Sequence, residues 1–491
     1  MISKTYIYIL LAIAAGILLA AIGLFKRDAP FDQTRQPSPS PTPYIIELQE
    51  DGFHPPVITI PRGDTVKFMS TKKNYFWPAS DLHPTHAIYA EFDPKEPIES
   101  DGTWSFRFEK TGEWRYHDHL APYFTGTIIV TEKQSAIPKE KECEDSRGSG
   151  ECWQKELVGT LNKKGLSETF DALARLYQDD PAFPGSCHYL AHNIGIAAYK
   201  LFLKDRDSVL SSKAAYCANG FYHGFMEALL TATHDPSEAK RFCAYVKERL
   251  TQQAPDAALQ CYHGVGHGAM DLALIDKRNW GNEQAMTQPA LKLCEQVSDT
   301  PEQLYRCASG IFNGIANFYT ENVHGLSIRG EDPFWICREQ PERYKESCYG
   351  NMNTAILWLS KNQFVQAASL IETTQEQSHA IPAMRYLAGL SALSFAKPNP
   401  GRAINACRRL QKQFHTPCLE GFAHGILEHG TPDNEYKDAL TFCQTSEMQS
   451  GERDLCLRYV LSHLDGWYSN ARVKQICESM EGDLRKYCLH S

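Results

Sequence analysis

Cysteine is missing from the first 142 residues, although the chain of 491 carries 16 of them. All lie between Cys143 and Cys488. A thiolate-held metal is therefore excluded from the N-terminal part. No Cys-x-x-Cys occurs, which excludes zinc ribbons and thioredoxin-like redox motifs. Nor does Cys-x-x-Cys-His, which excludes covalent haem of the usual c-type. His-Glu-x-x-His is absent, so this is no recognisable zinc peptidase. Gly-x-Ser-x-Gly and phosphate-binding loops are absent too. Lys and Arg number 50 against 59 Asp and Glu, a formal charge of -9, with no basic stripe. Nucleic acid is not an expected partner.

What is present divides the chain into unlike parts, and the expected fold class is multidomain. Tyr6 to Phe25 is an uncharged, mostly apolar run of 20 residues between Lys4 and Lys26-Arg27. That is long enough to span a bilayer as a helix and longer than most signal-peptide cores. Residues 1–27 are thus expected to be an N-terminal transmembrane anchor, with the membrane as a partner. Residues 28–43 include Pro-Ser-Pro-Ser-Pro-Thr-Pro and form an extended linker. The cysteines fall in close pairs: Cys143/Cys152, Cys243/Cys261, Cys294/Cys307, Cys337/Cys348, Cys407/Cys418, Cys443/Cys456 and Cys477/Cys488. Cys187 and Cys217 are left to each other. A disulfide framework needs an oxidising compartment, so the body is expected outside the cytoplasm, periplasmic or at the cell surface.

Residues 44–133 read as short strands. Thr103-Trp104-Ser105-Phe106-Arg107-Phe108 alternates strictly, and Pro61-Arg62-Gly63-Asp64 marks a turn. Such spacing predicts a small all-β sandwich. Residues 134–160 are expected to be a linker with Cys143 and Cys152. Residues 161–491 are expected to be an all-α domain of helical repeats. Four segments share the template Cys-x-x-Gly-x-x-[His/Asn]-Gly: Cys217 to Gly224, Cys261 to Gly268, Cys307 to Gly314 and Cys418 to Gly425. Looser copies begin at Cys187, Cys348 and Cys456. The gap between Cys348 and Cys418 leaves room for a cysteine-free helix near Ile381 to Phe395. A period near 40 residues predicts an α-solenoid whose concave face would dock a protein partner. The template glycines share one helix stripe and allow close helix approach. The solenoid resembles the tetratricopeptide or Sel1-like class in architecture alone, since their diagnostic residues are absent.

Two histidine motifs stand in the β part: Leu82-His83-Pro84-Thr85-His86 and Tyr116-His117-Asp118-His119. Neutral imidazoles suit copper, zinc and iron. On a strand, His117 and His119 point the same way while Asp118 turns aside. Phe53-His54-Pro55-Pro56, the run Ile58 to Val66, and Gly112 to His119 followed by Gly126 to Val130 resemble the cupredoxin family over about residues 44–132. More narrowly, the two motifs are similar to the His-Pro-x-His and Tyr-His-Ser-His motifs of multicopper oxidases. The resemblance implies copper held by His83, His86, His117 and His119. It departs from the family where a cysteine ligand would fall, since Asp118 stands there. A blue site needs that thiolate, so the implied centre is of the histidine-only, type 2 kind.

A second histidine set lies in the repeats. His188 and His192 are spaced i, i+4, as are His263 and His267, with Asp271 one turn on. His223 with Glu227 and His424 with Glu428 repeat the spacing. Such pairs share a helix face. They serve either helix packing or a zinc or iron site among His188, His192, His223, Glu227, His263 and His267. The reading of the whole is a membrane-anchored, extracytoplasmic copper protein for carriage or electron transfer. The alternatives are a copper-dependent oxidoreductase of multicopper-oxidase-like type, or a cell-surface scaffold with a vestigial metal site.

Overall fold

Val66, Phe68 and Ser70 on β4 (Thr65–Ser70) turn inward while their neighbours turn out. This period-2 pattern, set by the pleat, recurs through the β part of the computed structural model. The structure describes residues 43–49, 52–81, 86–131 and 150–489. The predicted anchor (1–27), the linker to residue 42 and His83 lie outside those residues. Among the described residues no helix is long and apolar enough to cross a membrane.

Among the described residues, eight strands form two four-stranded sheets. One has the order β2-β1-β4-β6, with β1 Tyr44–Gln49, β2 Gly52–His54 and β6 Thr103–Arg107. The other has the order β3-β8-β7-β5, with β3 Val57–Pro61, β5 Pro78–Ser80, β7 Gly112–Asp118 and β8 Ala121–Thr131. β1 with β4 and β3 with β8 run parallel; the remaining pairs are antiparallel. Phe53, Phe68, Phe92, Phe108 and Tyr116 fill the core between them. The Tyr116 ring crosses Gly126 so closely that a Cβ there would lie 2.4 Å from it. Glycine at 126 thus seats the tyrosine that precedes the second histidine motif.

The helical part begins at Gly150, inside the stretch expected to be a linker to residue 160. Its first helix, Gly150–Lys164, forms because Trp153, Leu157 and Leu161 make one buried stripe. Eight helices then stack in chain order as an inner layer: α1 Cys187–Phe202, α2 Gly220–Thr233, α3 Ala257–Leu274, α4 Pro301–Glu321, α5 Glu342–Asn351, α6 Gln377–Leu390, α7 Lys412–His429 and α8 Ser450–Ser462. α6 is the cysteine-free helix expected in the long gap. The template glycines lie where inner helices touch. A Cβ on Gly224 would fall 2.0 Å from the His192 carbonyl, and one on Gly310 2.1 Å from that of His263.

Seven of the predicted cysteine pairs are disulfides, among them Cys187–Cys217 and Cys243–Cys261. Five of them tie an outer helix to the next inner one, as Cys294 in Glu283–Val297 to Cys307 in α4. Cys152 is also disulfide-bonded, and Cys143 lies outside the described residues. This chemistry places the folded chain in an oxidising, extracytoplasmic compartment.

The expected solenoid with an open concave face is not what forms. The inner layer curls back, and Tyr177 in the helix Leu166–Asp179 donates its hydroxyl to the His429 carbonyl on α7 at 2.5 Å. The concave side becomes a chamber of about 290 Å³ walled by α1 to α7. Residues 44–491 form one compact unit. Gln154 donates to Asp81 at 3.0 Å, Lys277 donates to the Pro97 carbonyl, and Tyr123 packs on Tyr199. The sandwich and the helices therefore share an interface.

Candidate metal centre

β7 carries the second motif to the rim of the sandwich, where a register shift between His117 and Asp118 breaks the ladder. His117 and His119 still reach one cluster beyond it. Asp118 turns away as expected: its carboxylate accepts the backbone N–H of Trp77 at 2.8 Å and of Leu120 at 3.3 Å. Burial raises its pKa against those two bonds. It closes the turn and does not occupy a ligand position.

His86 enters from the opposite loop in a left-handed backbone conformation, φ 52°. A non-glycine residue there is strained unless its surroundings hold it. Ser80 does so in part, donating its hydroxyl to the His86 carbonyl at 2.8 Å. One ring nitrogen of each of His86, His117 and His119 lies within 4.8 Å of the others. His86 Nε2 and His119 Nδ1 are 2.9 Å apart.

Two carboxylates aim the rings, and nothing in the sequence pointed to them. Asp93 takes His86 Nδ1 at 2.5 Å, and Asp81 takes His117 Nδ1 at 2.9 Å. Each holds its ring by Nδ1, and His86 Nε2 meets His119 within the cluster. Burial opposes charge on Asp93, yet bonds to His86 and Lys95 hold its carboxyl well below the usual range. Burial likewise opposes Asp81, and His117, Arg115 and Gln154 together bring it below its usual value. Burial lowers the pKa of His86 more than Asp93 raises it, so the ring is neutral and able to ligate. Carboxylates behind ligating histidines are the usual outer shell of a metal site.

The helical part closes over this cluster. Trp77 lies against His119, with ring centres 4.4 Å apart, and meets Trp280 and His324 from the other side. A cavity of about 200 Å³ opens between them, lined in part by His86, His119, Lys95, Glu321 and His324. Burial lifts Glu321 to about 8 and lowers His324 to about 4. At neutral pH the cavity thus holds a protonated Glu321 beside neutral His324 and His86. Trp280, Glu321 and His324 carried no signal in the sequence, because only the fold brings them to the motif.

The second histidine set converges too, although not in the pairs its spacing implied. His223, His263 and His267 each place a ring nitrogen within 4.8 Å of the others. Glu227 reaches across helices, to His192 Nε2 at 2.9 Å and His267 Nδ1 at 3.6 Å. Burial pushes Glu227 up and His192 down to about 3, so the two share one proton as a neutral bond. His188 donates Nδ1–H to the Cys217 carbonyl at 2.9 Å, and burial lowers it to about 4. His424 leaves the set: its Nδ1 meets the Tyr459 hydroxyl at 3.0 Å.

No family profile and no curated protein matches the chain. Among solved structures, its strand region is similar to a purple cupredoxin from Nitrosopumilus maritimus. That match is 19% identical, covers 18% of this chain and 99% of the cupredoxin, and has a TM-score of 0.17. An amicyanin variant in its Cu(I) form is 17% identical over 18% of this chain and 82% of its own, with a TM-score of 0.17. A copper-containing nitrite reductase from Thermus scotoductus SA-01 is 22% identical over 19% of this chain and 23% of its own, with a TM-score of 0.16. The sandwich assignment stands on the strand order and register themselves.

Proposed function

We propose that this chain is a copper protein that works outside the cytoplasm, held to the membrane by residues 1–27. His86, His117 and His119 bind one copper ion through nitrogen alone, and His83 is a candidate fourth ligand. The observation that carries this reading is the pair of buried carboxylates behind His86 and His117. Packing alone does not call for a carboxylate on each Nδ1, whereas ligating histidines commonly donate that N–H to one. The donor set fits copper: neutral imidazoles with no thiolate. Two ligands at about 2.0 Å from one ion stand about 2.8–2.9 Å apart at a right angle, the angle of a tetragonal Cu(II) site. His86 Nε2 and His119 Nδ1 have that separation, which is also hydrogen-bond length.

Copper held by these residues would supply one-electron chemistry between Cu(I) and Cu(II). The protein's share is to fix the rings and limit water. Asp93 and Asp81 hold two tautomers, and Trp77, Trp280 and His324 cover the third ring. Such anchoring favours electron exchange with a partner protein over release of the ion. A second reading, an oxidoreductase acting on a small molecule, is favoured by the cavity beside His119. There Glu321 would hold a proton at neutral pH within reach of a bound molecule.

Metal analysis of the full chain, purified with its disulfides intact, tests the copper reading. One copper is expected at this site in the wild type, and none there in His117→Ala/His119→Ala. An unchanged copper content in the variant would contradict it.

A further inference from the structure

We infer a second metal site in the helical part, independent of the copper centre: His223, His263 and His267 bind one tetrahedral divalent ion, zinc by their chemistry. The three rings come from α2 and α3 and meet at the chamber wall. His263 Nε2 and His267 Nε2 are 3.3 Å apart. That is long for a hydrogen bond, whose usual limit is about 3.2 Å. It is the spacing of two ligands on a tetrahedral ion: bonds of about 2.0–2.1 Å put the nitrogens about 3.3–3.4 Å apart.

The tautomer of His263 follows from its hydrogen bonds. Ser309 donates its one hydroxyl proton to the Arg306 carbonyl at 2.7 Å. His263 Nδ1, 2.7 Å from that hydroxyl oxygen, must then donate to it. The lone pair of His263 is thereby left on Nε2, facing His267. Behind His267, Glu227 lies 3.6 Å from Nδ1 and is itself held by His192. Ser309 thus stands behind His263 as Asp93 and Asp81 stand behind the β-site rings, while Glu227 lies near His267 beyond hydrogen-bond length.

Helix packing alone does not explain the arrangement. The closest backbone approach between the inner helices is made by the template glycines, and His223 stacks on His267 across it with ring centres 4.4 Å apart. The neighbouring unit carries Asn313 at the same template position and stacks equally well. Three protein ligands leave one coordination position to water or a small ligand, as in zinc sites that act on substrates. The chamber of about 290 Å³ gives that ligand room, with Arg306 and Asn313 among its lining.

The test uses the full chain, stripped of metal and titrated with Zn²⁺ and then with Co²⁺ as a spectroscopic substitute. His223→Asn/His267→Asn should fold, because the template itself accepts Asn at this place. The wild type should take up one Zn²⁺ that this variant does not, and its Co²⁺ form should show tetrahedral ligand-field bands. His117→Ala/His119→Ala should keep the site, which separates this inference from the copper reading. Ser309→Ala, which retains every ligand, should weaken Zn²⁺ binding by about 10–100-fold. Equal Zn²⁺ uptake by the Asn variant, octahedral Co²⁺, preference for Cu²⁺ alone, or unchanged affinity in Ser309→Ala would overturn it.

Discussion

His86 and His117 owe their orientation to Asp93 and Asp81. Asp93→Asn keeps the side chain's size and removes the charge behind His86. Copper affinity should fall by about 10–100-fold in a competition titration, with the fold unchanged; equal affinity would mean that the carboxylate serves packing only. The histidines were legible because a repeated residue type in two short motifs is a local signal. Asp93, seven residues from His86, and Asp81 belong to no motif, and only loop closure brings them in.

Glu435, far from either site, gives a pH prediction at the same scale. It accepts the Tyr468 hydroxyl at 2.5 Å, and burial lifts its pKa to about 7. An acid raised in the folded state contributes its full stability below the unfolded value near 4.5. That contribution is lost as pH rises through 7. Relative to wild type, Glu435→Gln should therefore gain up to about 3 kcal/mol between pH 4.5 and 7, and no more above it. Urea unfolding across that range reads the difference, and a gap that does not change with pH would contradict the assignment.

At the scale of the element, the template glycines set the spacing of the inner layer. A Cβ on Gly425 would sit 2.1 Å from the Gly389 carbonyl and 2.7 Å from the Ala392 Cβ. Alanine gains about 1 kcal/mol in helix propensity. The overlap forces α6 and α7 apart, an overpacking cost of about 1–3 kcal/mol or more. Gly425→Ala should therefore destabilise the protein on balance, and a net gain in denaturant midpoint would contradict the packing account. This element was legible from sequence because Gly at i+3 and i+7 marks one face. Most disulfide partners were legible because the pair spans one helix junction; Cys187 and Cys217 were left to each other by elimination. The contacts of Glu227 with His192 and His267 were not legible: they cross between helices, and i, i+4 spacing reports only on one helix.

For the whole molecule, the sequence read as a string of separate modules, because composition changes sharply near residue 150. Composition says nothing about how a sandwich and a helical array meet. Buried contacts such as Gln154 to Asp81 and Trp77 to Trp280 make residues 44–491 one unit. Closure of the inner layer depends on Tyr177 and His429, 252 residues apart in the chain. No local pattern carries that information. The consequence is functional: the helices roof the β-site histidines and enclose the second histidine set, so both sites belong to the assembled chain.

Electron paramagnetic resonance of the full chain, loaded with one equivalent of Cu²⁺, tests the central claim most directly. The expected result is an axial, nitrogen-coordinated type 2 signal with no intense blue band, abolished in His117→Ala/His119→Ala. A strong thiolate-to-copper band, or a signal that survives in that variant, would contradict the account.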